Sequence, residues 1–151
     1  MYAFIEKNKL IYKQQFGFRS KHSTTHALIS TTESIKSLID TGDIVGGVFI
    51  DLQKAFDTVN HDILCDKITY YGFRGISKLL IKSFLSNRKQ FVSINGFNST
   101  ESNVICGVPQ GSTLGPLLFL LYINDLHYSM KHSIASHFAD DTCITFSAKK
   151  I

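Results

Sequence analysis

The sequence predicts an α+β fold: an antiparallel sheet with helices packed on one face. Three observations carry that expectation. Apolar and β-branched residues flank Asp140-Asp141 on both sides in the run Ala135 to Phe146, the pattern of a β-hairpin with the acids at its tight turn. A short apolar run, Asp43 to Asp51, follows a break at Gly42 and reads as a second, buried strand. Helix-length stretches with start and stop signals lie before and between them. The chain has 151 residues, 44% of them hydrophobic, which suits one domain with a core.

The elements follow in order. A helix is expected from about Ser23 to Leu38, ending before Gly42, with Ala27, Leu28, Ile35, Leu38 and Ile39 on one packed face. A strand covers about Ile44 to Asp51. A helix capped by Asp57 runs on to Tyr71, where Gly72 stops it. Another covers Ser77 to Leu85. Gln90 to Asn95 and Thr100 to Ile105 read as strands around Gly96-Phe97-Asn98, and Asn95-Gly96 is a strong turn signal. The loop Cys106 to Pro116 carries three glycines and both prolines of the chain, so its backbone is shaped. Ser112 or Thr113 fits a helix cap and Pro116 the first turn of the apolar helix that follows, Leu117 to Leu126.

Chemistry concentrates on acids at strand ends. Taken alone, Asp140-Asp141 reads as a solvated turn, since Asp is a favoured turn residue. Adjacent anions repel, however, and a divalent metal is the counter-ion that oxygen ligands suit best. Asp51 shifts the balance: a carboxylate closing an apolar strand is costly unless its charge is compensated. A capping role is also open to Asp51. The Cys106 to Pro116 loop is suited to pressing backbone against a nucleotide or template, or to serving as an ordinary helix entry.

Composition adds bounds. There are 16 Lys and Arg against 12 Asp and Glu, a net charge of +4 and a pI near 9.0. That suits a polyanionic partner without identifying one, and the basic residues are scattered. Arg88-Lys89 at a strand start fits either phosphate contact or a solvated edge. Cys65, Cys106 and Cys143 are odd in number and lack C-x-x-C spacing, so neither a disulfide framework nor a zinc site is expected, and an intracellular setting is favoured. Met1 is followed by mixed polar residues rather than a signal peptide. Leu117 to Ile123 is short of the about 20 apolar residues that span a bilayer, so no membrane partner is expected. His22 and His26 share a helix face but have no evident third ligand, and His61 reads as structural.

Four motifs then fall in one order along nearly the whole chain. Phe49-Ile50-Asp51 with Phe56, Pro109-Gln110-Gly111, and Phe138-Ala139-Asp140-Asp141 resemble the A, B and C motifs of reverse transcriptases. Gln15-Phe16-Gly17-Phe18-Arg19, His22-Ser23-Thr24 and Ala55 to His61 add to the likeness. It is strongest to the enzymes of non-LTR retrotransposons, the LINE-type, Jockey-like elements. The resemblance implies the palm of a right-hand polymerase with part of the fingers: residues 1–42 on the fingers side and residues 43–151 as the palm core.

The same resemblance implies an RNA-directed DNA polymerase that transfers dNTPs onto a primer 3′ hydroxyl on an RNA template. Asp51, Asp140 and Asp141 would be catalytic and would hold two Mg²⁺ ions, with Mn²⁺ as a substitute. One ion activates the hydroxyl and the other stabilises the leaving pyrophosphate, with the pair roughly 3.5–4 Å apart. Leu52, Phe56, Gln110 and Gly111 would contact the nucleotide, and Arg19 and Pro109 the nucleic acid. Phe56 resembles a steric gate against the 2′ hydroxyl, since an apolar ring disfavours burying one; it equally suits a core position, and the two roles are compatible. Arg19 suits either nucleic-acid contact or holding its loop to the palm. Counterparts of the triphosphate-gripping segments, the primer grip and the thumb are missing, so a fragment of a retroelement polyprotein is expected, working in nucleus and cytoplasm. Two other readings stay open: a catalytically inactive remnant that folds or binds nucleic acid, and another palm-fold enzyme such as an RNA polymerase or nucleotide cyclase.

Overall fold

The structure is a computed structural model that describes residues 1–130 and 132–149. In chain order its elements are α1 (Tyr2–Lys7), α2 (Thr24–Asp40), β1 (Asp43–Ile50), α3 (His61–Tyr70), α4 (Ile76–Leu85), β2 (Arg88–Gln90), β3 (Ser93–Ile94), β4 (Phe97–Asn98), β5 (Ser102–Val104), α5 (Gly115–Ile123), a 3₁₀ turn (Leu126–Ser129), β6 (Ile134–Phe138) and β7 (Asp141–Lys149). Contacts divide the chain into two units, Met1–Gln53 with Ile123–Ile151, and Lys54–Tyr122. That division cuts across the motif-based boundary at residue 42.

The first unit is built on a three-stranded antiparallel sheet in the order β1-β7-β6. α2 packs against all three strands. It begins where expected: Ser23 is its N-cap, with Oγ accepting the His26 N–H at 3.3 Å. Its contact face differs from the expected one. Ala27, Thr31, Ile35 and Leu38 are half-buried, whereas Leu28 and Ile39 are exposed and no α2 residue is fully buried.

β1 also departs from expectation. It is an edge strand with one neighbour, and Phe49 at its end is 82% exposed. Its apolar run is therefore not covered on both faces as a central strand would be. The opposite edge of the sheet is covered. Gln15 forms a parallel bridge to His137 of β6, with Phe16 N–H donating to the His137 carbonyl and His137 N–H to the Gln14 carbonyl, both at 2.8 Å. A covered edge offers no free ladder of donors and acceptors.

The second unit is helical around α5. Leu117 to Leu121 are all buried, as expected for a helix apolar on every side. Each such side chain contributes about 1.5–3 kcal/mol of burial. Ser112 Oγ accepts the Gly115 N–H at 3.0 Å, and Pro116 lies in the first turn. α3 is shorter than expected. Lys54 to Thr58 make turns, and the N-cap is Asn60, not Asp57: Asn60 Oδ1 accepts from the N–H groups of Asp62 and Ile63. Lys54, at φ 52, stands outside the helical region, which breaks the helix there. α4 agrees with expectation within one residue. The hairpin after it is more broken than expected, pairing as β2 with β5 and β3 with β4. It turns at Asn95-Gly96, and both residues have positive φ, as that dipeptide predicts.

Candidate active site

β7 is the middle strand of its sheet, and this fixes where the acids stand. On one side its first residue, Asp141, pairs with Phe138 across a two-residue turn made of Ala139 and Asp140. On the other side the last pair with β1 is Ile50 with Thr142. Asp51 therefore leaves β1 alongside Asp141. Both line one cleft of about 470 Å³, closed by Ala27, Leu28 and Thr31 of α2. Phe49, Cys143 and Ser136 lie side by side across the three strands on the same wall. Asp51 and Asp141 are exposed, and Asp140, at the turn itself, is half-buried.

Among the described residues, no three His, Cys, Asp or Glu side chains are gathered closely enough to hold a metal ion. The three acids stand at neighbouring strand ends without forming a ready-made ligand set. Their donor chemistry, oxygen throughout, fits a hard divalent cation.

The turn is held from a distance in sequence. Gln15 is 3% exposed. Its Oε1 accepts the N–H groups of Gly17 and Ala139 at 2.8 and 2.9 Å, and its Nε2 donates to the Ala139 carbonyl at 3.2 Å. His137 is also buried, with Nδ1 at 2.8 Å from Thr142 Oγ1 and the Tyr12 ring edge-on at 5.8 Å. Burial pushes its imidazole down to about 4, and the charge of His127 acts in the same direction. Arg19 donates to both Glu6 carboxylate oxygens, at 3.1 and 3.2 Å, and to the carbonyls of Tyr12 and Gln15. Of the two roles open to Arg19, holding its loop is the one these bonds describe. Leu52 follows Asp51 and is exposed.

In the second unit, the loop residues are stitched to the segment that carries Phe56. Gly107 and Val108 N–H groups donate to the carbonyls of Val59 and Phe56, and His61 Nε2 lies 2.7 Å from the Gly107 carbonyl. Gly107 leaves no room for a side chain, since a Cβ there would come within 2.8 Å of the Asp57 carbonyl. Phe56 stacks on Phe119 of α5 at 4.3 Å, a core contact. Gln110 Nε2 donates to Asp57 Oδ1 at 2.8 Å, so Asp57, expected as a cap, is instead the partner of Gln110. Pro109 is half-buried, and Gly111 is exposed at φ 75. Lys54, Arg88, Lys89, Asp57, Pro109 and Gln110 line a polar cleft of about 550 Å³ in this unit.

Over residues 1–151 the sequence matches the family described as reverse transcriptase (RNA-dependent DNA polymerase). The chain belongs to the reverse transcriptase family. Among relatives of this reverse transcriptase segment is the probable RNA-directed DNA polymerase from transposon X-element of Drosophila melanogaster. It is 36% identical over 97% of this chain and 16% of its own length. The probable RNA-directed DNA polymerase from transposon BS and the RNA-directed DNA polymerase from mobile element jockey, from the same organism, are 34% and 33% identical over 94% and 95% of the chain. The chain thus spans 16% of the length of each of these relatives. The likeness to Jockey-like elements read from the motifs holds. In fold, the reverse transcriptase segment is similar to apo telomerase from Candida tropicalis, truncated from the C-terminal domain. The TM-score is 0.67 at 16% identity, covering 97% of this chain and 33% of that one. The α+β palm with part of the fingers is the fold this likeness supports. Among the described residues, no helix is long and apolar enough to cross a membrane.

Proposed function

We propose that this chain is the catalytic core of a retrotransposon RNA-directed DNA polymerase that adds dNTPs to a primer 3′ hydroxyl on an RNA template. One observation supports this most: Asp51 and Asp141, the acids of two motifs 90 residues apart in sequence, line a single cleft at adjoining strand ends. Asp51, Asp140 and Asp141 would hold two Mg²⁺ ions, or Mn²⁺ in their place. Bound there, such ions lower the pKa of the attacking hydroxyl and stabilise the leaving oxygen. The residues of the chain supply the rest. The hairpin fixes two carboxylates at one turn, and β1 brings the third. Leu52, Phe56, Gln110 and Gly111 contact the incoming nucleotide, and Phe56 disfavours a ribose 2′ hydroxyl. Pro109 meets nucleic acid, and Arg19 touches nucleic acid directly or holds its own loop through Glu6, Tyr12 and Gln15. In the second unit, the polar cleft lined by Lys54, Arg88 and Lys89 supports a polyanionic partner.

By this reading residues 1–42 belong to the fingers side and residues 43–151 to the palm core. The DNA primer, the RNA template and the remainder of a retrotransposon polyprotein are the partners, and the work is done in nucleus and cytoplasm. The test is primer extension on an RNA template with dNTPs and Mg²⁺, beside an Asp140→Asn, Asp141→Asn control, with Mn²⁺ binding measured on both. Extension by the parent and none by the control is the expected result. Extension by neither, with no Mn²⁺ held at the acids, moves the chain to a remnant that folds or binds nucleic acid. Preference for ribonucleotides moves it to another palm-fold enzyme. Phe56→Ala is expected to relax sugar discrimination; an unchanged ratio of dNTP to rNTP use removes the gate role.

A further inference from the structure

The turn that carries the acids is made from an unlikely residue. Ala139 has φ 59, in the left-handed region, where an alanine costs roughly 1–2 kcal/mol. Such a conformation persists only where the surroundings over-determine it. Here the surroundings are one side chain and one missing side chain, both from Gln15 to Gly17. The Gln15 carboxamide takes both backbone groups of Ala139, its N–H at 2.9 Å and its carbonyl at 3.2 Å. No other residue makes bonds of this kind to the turn among the described hydrogen bonds. The same Oε1 is fixed in turn by the Gly17 N–H. Gly17 lies so close that a Cβ would come within 2.2 Å of the Ala139 nitrogen. Gln15 and Ala139 are 3% and 5% exposed, so water cannot take over these bonds. The bridge from Gln15 to His137 anchors the backbone that presents the carboxamide.

We propose that Gln15 is a positioning residue. Its buried carboxamide, with Gly17 giving it clearance, sets the conformation of Ala139 and so the place of the Asp140 and Asp141 carboxylates. The inference rests on the reading of these acids as the polymerase site, but the held turn stands on geometry alone. Gln15 touches no reacting atom. It acts through a backbone turn, as an outer partner orients a metal ligand.

The test uses the 151-residue chain, isotopically labelled, in five forms: parent, Gln15→Ala, Ala139→Gly, Gln15→Ala with Ala139→Gly, and Asp140→Asn. Two readouts are taken on folded protein. Amide exchange and the HN–Hα coupling of residue 139 report the turn, and titration with Mn²⁺ followed by electron paramagnetic resonance reports the acids. Gln15→Ala is expected to speed exchange at Ala139 by about tenfold or more and to weaken Mn²⁺ binding by about tenfold. Adding Ala139→Gly should bring Mn²⁺ affinity back to within about twofold of the parent, because glycine adopts positive φ without a partner. A general loss of stability would not be rescued in that way. The proposal is overturned if Gln15→Ala leaves the exchange and coupling of Ala139 unchanged, or if the glycine fails to reverse the lost affinity. If the parent binds no Mn²⁺ that Asp140→Asn removes, the metal-site reading fails, and exchange and coupling decide the positioning claim without it. Should Gln15→Ala not fold, Gln15→Met keeps the volume while removing the same bonds.

Discussion

Two hairpins in this chain reverse direction in two residues, and they do it by opposite means. The β3–β4 hairpin turns through Asn95 at φ 50 and Gly96 at φ 83, two residue types that accept positive φ at low cost. It lies in the open, with Ile94 and Phe97 exposed on either side, and needs nothing beyond its own sequence. The β6–β7 hairpin turns through Ala139 at φ 59 and Asp140, and only the first has positive φ. Its sequence opposes the conformation, and a glutamine 124 residues away imposes it. The first turn is specified locally; the second is specified by packing. The turn that carries acids is the one that stores strain, and strain of this kind is found where backbone position matters to function.

The largest effect that would separate the two comes from Gln15→Leu. It leaves the buried N–H and carbonyl of Ala139 and the buried N–H of Gly17 without partners, each costing about 1–3 kcal/mol, so a loss of at least about 3 kcal/mol is expected. Asn95→Ala, in the exposed turn, should cost no more than about 1–2 kcal/mol. Urea unfolding curves of the two variants make the measurement. Equal losses would break the contrast, because they would mean the acid turn is no more dependent on its partner than the open one.

A second contrast is in pH. The acid hairpin carries the buried His137, whose imidazole titrates at about 4 rather than 6.5. The unfolded chain therefore binds a proton that the folded chain refuses between those values. Stability from this group is complete above about pH 6.5, falls as the pH drops, and is gone below about pH 4, a change of at most about 3 kcal/mol. Comparing urea midpoints near pH 7 and pH 4.5 for the parent and His137→Phe isolates it from the carboxylates, since the variant should lose less on acidification. An identical loss in both would show that His137 charges freely in the fold.

How much of this was legible in the sequence follows the same divide. The Asn95-Gly96 turn, the Ser23 cap, the Ser112 bond to the first helical N–H of α5 and the buried helix from Leu117 were readable because each is decided by residues next to one another. The order of strand ends that brings Asp51 beside Asp141 was readable only through the motif resemblance; alternation alone placed the strands without their register. The role of Asp57 was misread, because Asn60 competed for the cap and a long-range bond to Gln110 claimed the carboxylate. The exposure of β1 was misread because an apolar run does not reveal whether its strand is central or at an edge. The clamp of Gln15 on Ala139 left one trace, the place of Gln15 and Gly17 in the motif from Gln15 to Arg19, and nothing in local propensity points from residue 15 to residue 139.

A smaller effect sharpens the comparison from the side of the open turn. Gly96→Ala places a Cβ at φ 83, with no neighbour within 4 Å to compensate or to clash. It should cost about 1 kcal/mol, the roughly 1–2 kcal/mol of backbone strain less what the stiffer unfolded chain returns. Thermal or urea unfolding of the whole chain reads it, and a loss well above that value would show the hairpin to be packed more tightly than its exposure indicates.

The smallest expected effect is the most discriminating. Ala139→Gly removes a strained alanine, a gain of roughly 1–2 kcal/mol, and frees the unfolded chain, a loss of about 0.5–1 kcal/mol. The clamp bonds are to the backbone of residue 139 and survive the change. The two terms partly cancel, so stability should move by less than about 1 kcal/mol, while Gly96→Ala, the reverse exchange in the open turn, carries the same terms with opposite sign and should lower it. A large loss on Ala139→Gly would mean that the methyl group itself packs against the Gln15–Gly17 segment and that the turn is held by volume rather than by the carboxamide. A clear gain would mean that the fold tolerates strain at this turn that a glycine would relieve, and would place the reason for an alanine there in what the turn does rather than in how it folds.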